Sequence, residues 1–86
     1  MTQPLIRPIV NINGTDPEEL VRARLDAKRA IDDVIERLKD IAPNGRDYPG
    51  DIDALHTDRD IYWDRLRALR DLQMALLDEA LLIKKD

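Results

Sequence analysis

Ala42-Pro43-Asn44-Gly45-Arg46-Asp47-Tyr48-Pro49-Gly50 separates two long stretches whose apolar residues recur at helical spacing, and its reading decides the fold. Two prolines and two glycines between 43 and 50 make this segment a loop, assigned here to 43–52. Pro43 has no backbone N–H and biases Ala42 away from helical geometry, so the preceding helix ends near Ala42. Asn44-Gly45 suits a turn with positive φ, and Tyr48 before Pro49 is expected to be extended. A short loop between two amphipathic helices folds them back on one another. The predicted fold is therefore all-α, an antiparallel two-helix hairpin.

Upstream of the loop, Asp16 is a good N-cap, Pro17 suits the first helical position and Glu19 stands three residues after the cap; Thr15 with Glu18 offers the same box one residue earlier. From there Leu20, Ala23, Ala27, Ile31, Val34, Leu38 and Ile41 recur at threes and fours, flanked by Val21, Ile35 and Ala42. This predicts a first helix over about 17–42, with an apolar stripe of roughly 140°. Residues 1–14 form an arm, which Pro4 and Pro8 keep from being helical. Within it Ile9, Val10 and Ile12 make a β-capable run ending at Asn13-Gly14. Such an arm either lies in the groove of its own helices or pairs with the arm of a second chain.

Downstream, the second helix is predicted over about 53–84. Its cap is Asp51 or Asp53 in preference to the later Thr57 with Asp60. Ile52, Leu55, Tyr62, Leu66, Leu69, Leu72, Leu76, Ala80 and Ile83 lie on one side, and Lys84 and Lys85 suit the negative end of the dipole. Trp63, Met74, Leu77 and Leu81 add a second band, widening the apolar arc to roughly 200°. One antiparallel neighbour does not cover that arc. The expectation is a hairpin that pairs with a second copy into a four-helix bundle, with Leu66, Leu69, Gln73, Met74, Leu76, Leu77 and Leu81 as seam candidates. Gln73 either fixes register in that seam or reaches solvent at its edge. Tyr62 and Trp63 read as core packing at the hairpin or dimer seam rather than as exposed anchors, and Leu82 points away from the stripe.

Composition agrees with the need for a partner. Leu, Ile and Val supply 24 of 86 residues and there is no Phe, so the core of so short a chain is marginal. Without cysteine there is no disulfide framework, Cys-based zinc site or thiol chemistry. The chain has no apolar run of membrane-spanning length and no basic-then-apolar leader, and the expectation is a soluble, cytoplasmic protein. The net charge of −4 is concentrated in 43–60, where five aspartates face two arginines. Arg46, Asp47, Tyr48, Asp51, Asp53, Asp58 and Asp60 are the candidates there for contact with a protein partner. Arg22, Arg24, Lys28 and Arg29 are interleaved with Glu18, Glu19, Asp26, Asp32 and Asp33 and read as a solvated face, which argues against nucleic acid as a partner.

Catalytic chemistry finds little to work with. His56 and Asp60 have the i,i+4 spacing of two metal ligands, and Asp51, Asp53 or Asp58 could join them, but capping and dipole complementarity select the same residues. The Asp51-x-Asp53 start fails as a calcium loop, since His56 and Tyr62 stand where Gly and Glu are needed. There is no Ser; Thr15 and Thr57 are explained as caps, leaving Thr2, and Gly14, Gly45 and Gly50 are too scattered for a phosphate loop. The intertwined chorismate mutase architecture is similar only in size and helix content, because no cationic residue is expected within the apolar seams. The chain is read as a non-enzyme without cofactor or metal.

Asn11-Ile12-Asn13-Gly14-Thr15, Leu25-Asp26-Ala27 and the junction Ala42-Pro43-Asn44-Gly45-Arg46-Asp47-Tyr48 together resemble a group of short helical proteins encoded by tailed phages and prophages. The likeness covers most of the chain and is most specific at the junction. It implies a bacterial host cytoplasm and carries no activity with it. The expected function is a small oligomeric interaction protein that binds itself and a host or phage protein. Two alternatives are an acidic mimic that occupies a nucleic-acid-binding surface, and a weak nucleic-acid binder through Arg22 to Arg29.

Overall fold

The side chain of Asp16 accepts from the Glu18 N–H at 2.9 Å and Pro17, with no N–H to lose, takes the first turn of a helix, α1, Pro17–Leu38. The computed structural model describes residues 3–11 and 13–85; Thr2 and Ile12, the latter read above as part of a β-capable run, lie outside them. The α-helical pattern ends earlier than expected, at Leu38, and tightens into a 3-10 turn over Lys39–Ile41. Pro43 is the cause: it requires Ala42 to be extended, which it is at φ −61° and ψ 130°.

Asn44 does not begin a positive-φ turn. It is extended at φ −134°, and its side chain accepts from the Arg46 N–H to cap a second 3-10 turn over Gly45–Asp47. The positive φ falls instead on Gly50, at 75°, alone among the described residues, where the chain swings into the next helix. Asp51 caps that helix by accepting from the Ala54 N–H at 3.0 Å. The helix, α2, runs Ile52–Lys85 and is about 51 Å long.

The fold is all-α, with no strand among the described residues, and α1 packs antiparallel on α2. Two polar contacts set the register. The Gln73 amide donates to the Lys28 carbonyl at 2.9 Å and to Asp32 at 2.6 Å, and Arg24 meets Glu79 at 2.9 Å. This register lays α1 along residues 66–85 and leaves the first turns of α2 beyond its end, against the loop. It also rotates α1 away from the expected stripe: Ile35 is buried and Val21, Leu25, Ile31 and Leu38 are half-buried, whereas Ala23, Ala27, Val34 and Ile41 face solvent. The apolar arc of α1 is wider than the strip one helix can cover, and the polar contacts choose which edge of it is used.

The arm lies on its own helices. The Ile6 N–H donates to Glu79 at 3.1 Å, with Leu5, Pro8 and Val10 half-buried and Ile6 and Ile9 outward. Ala75, one turn before Glu79 on α2, is buried.

The result is long and thin, 63 × 23 × 16 Å, with a radius of gyration of 18.0 Å against about 12 Å for a compact chain of this length. Its accessible surface of 6910 Å² is about a third above the roughly 5,200 Å² of a compact monomer of this mass. Among the described residues no large side chain is wholly removed from solvent.

Candidate interaction surfaces

The two apolar bands of α2 have different fates. Leu66, Leu69, Leu72 and Leu76 are half-buried and Gln73 is buried, all on the side turned toward α1. The seam candidates among them, Leu66, Leu69, Gln73 and Leu76, lie against α1 of the same hairpin. In the second band Trp63 is 58% exposed, Met74 56% and Leu81 51%, with Leu77 half-buried beside them. Trp63 is thus outside the hairpin's own core: α1 lies against the other band, and the arm lies on the far side. Its ring stands edge-on to Tyr62, with centroids 5.9 Å apart.

At the hairpin end, Arg46 and Asp47 do not pair with each other. Both are tied to Asn44: Arg46 Nε donates to its Oδ1 at 3.2 Å, and its Nδ2 donates to Asp47 at 3.2 Å. Tyr48 donates its hydroxyl to Asp58, fastening the loop onto α2. That hydrogen bond, with some desolvation and the negative charge of Asp58 and Asp47, raises the Tyr48 pKa above the ordinary 10.0. Asp58 is half-buried as a consequence, while Asp51, Asp53 and Asp60 are exposed together with Ile52 and Ile61. His56 is exposed, and among the described residues no three His, Cys, Asp or Glu side chains converge as a metal site. Ile52 stands beside Asp51 and Asp53, whereas Ile61, beside Asp60, lies about 180° round α2 from Ile52, so the acidic and apolar exposure is divided between two sides of the helix.

The basic residues of α1 do not form one patch. Arg24 is drawn into the seam, its side chain only 15% exposed, where its Nε pairs with Glu79 and its Nη1 donates to the Leu20 carbonyl. This corrects the expectation of seams free of cations. Arg29 is held by Asp26 at 3.6 Å, and Arg22 stays on the surface. Sequence did hold a signal for the pair, since Glu79 stands three residues after Leu76 and four before Ile83 on the inward row. No helix of the described residues is long and apolar enough to cross a membrane. Compared with protein-family models, curated proteins and solved structures, the chain matches none of them.

Proposed function

We propose that this protein is a non-catalytic, self-associating interaction protein. Two hairpins pair into a four-helix bundle, and the acidic hairpin end over 43–60 is left to bind a protein partner. The observation that carries the reading is the unpartnered band of α2, where three large apolar side chains are each more than half exposed. The surplus of accessible surface over that of a compact monomer supports it further. Asp51 and Asp53 with Ile52 on one side of α2, and Asp60 with Ile61 on the other, supply the partner contacts, which suit basic segments with apolar anchors. A phage or prophage setting is proposed from the junction and the Asn-Gly-Thr start.

Absolute mass by light scattering across a dilution series tests the reading. A dimer or larger species that persists to low micromolar concentration is expected. A monomer at every concentration would overturn self-association.

A further inference from the structure

We infer that the second copy docks on the face opposite the arm, α2 against α2 and α1 against α1, about a twofold axis at the level of Leu72. This rests on the self-association proposed above and specifies its geometry. Going round α2 from Gln73, the side chains of Trp63, Met74 and Leu81 lie about 80–100° one way and Glu79, which holds the arm, about 120° the other. Gln73 meets Asp32 on the first side, which places Arg22 and Arg29 of α1 on the same face as the α2 band. That face therefore has an apolar half and a charged half.

Only two twofold arrangements stack this face on itself. An axis parallel to the helices lays the apolar half on the charged half. An axis perpendicular to them lays apolar on apolar; neighbouring helices are antiparallel in both arrangements, as bundles favour, so the apolar match is what selects the second. In the second arrangement, Trp63 opposite Leu81 of the second copy puts Arg67, which also meets Asp64 of its own chain at 3.0 Å in an exposed pair, beside Asp78 of the second copy and lays the aliphatic stem of Arg70 on Met74 of the second copy. The hairpin's own register then fixes α1: Arg22 comes opposite Asp40 of the second copy and Arg29 opposite Asp33 of the second copy. One pair of like charges meets, Asp26 with Glu36 of the second copy. Each is already paired within its own chain, Asp26 with Arg29 at 3.6 Å and Glu36 with Lys39 at 3.0 Å. A standard interface takes about 800 Å² from each partner. The surplus exposure of this chain over a compact monomer is about twice that.

The chain has no cysteine, so introduced ones report cleanly. The double variant Trp63→Cys with Leu81→Cys is expected to oxidise to a covalent dimer, and neither single variant is, since like positions are about 27 Å apart in this arrangement. Arg67→Asp is expected to weaken the dimer about tenfold, and adding Asp78→Arg to restore it. Cross-linking by either single variant, or an Arg67→Asp defect that Asp78→Arg does not repair, overturns this geometry. A dimeric mass without cross-linking of the double variant also overturns it while leaving self-association standing. A monomeric mass for the unmodified chain overturns both.

Discussion

Glu79 joins three parts of the chain with one carboxylate: it accepts from Arg24 of α1 and from the Ile6 N–H of the arm while belonging to α2. At 4% exposure it is too buried to be replaced by water at no cost. Glu79→Gln can still accept from Ile6 but leaves the Arg24 charge uncompensated, and is expected to lower stability by about 2–3 kcal/mol in urea titrations. Tyr48 gives a second prediction at this scale. Its proton is bound more tightly in the folded protein than in the unfolded chain, so the Tyr48–Asp58 contribution to stability is complete below the ordinary phenol range. It is lost as pH rises through the elevated folded pKa. In a Tyr62→Phe background, phenolate absorbance should therefore rise at higher pH than in the same protein carrying Asp58→Asn.

Helix boundaries were legible to within a few residues, because Asp16-Pro17, Pro43 and Asp51 act through local backbone chemistry. The facing of the helices was not. Ala23, Ala27 and Val34 belong to a regular apolar row in α1, yet that row is solvent-facing, because its rotation is chosen by Arg24–Glu79 and by Gln73 with Lys28 and Asp32, contacts 41 to 55 residues apart in sequence. At the element scale the row around Leu76 is the one α1 covers. Leu76→Asp would place an unpaired carboxylate against α1 at a cost of several kcal/mol, comparable to the stability of so small a domain. Loss of the helical circular dichroism signal at 25 °C is expected.

Across the whole molecule, an elongated hairpin with a thin core and an arm on one face leaves a wide apolar strip of α2 bare on the other, in addition to the solvent-facing Ala23, Ala27 and Val34 row of α1. Trp63 is the only tryptophan and lies in that strip. Its emission reports on the proposed pairing without any label. At high concentration the emission maximum is expected in the blue-shifted range of a buried indole, moving red on dilution as the dimer separates. Emission typical of solvent-exposed tryptophan at all concentrations would place the interface elsewhere.

By itself the sequence determined two helices, their caps, the loop that turns one back on the other, and an apolar arc on α2 too wide for one neighbour. These follow from residues within a turn or two of each other, where spacing and backbone chemistry decide. Only the tertiary structure decided which part of each arc is covered, that Gln73 and an Arg–Glu pair lie inside the seam, and that the arm lies along its own α2. An amphipathic helix offers several rotations of similar apolar burial, and a few long-range polar contacts are enough to select one.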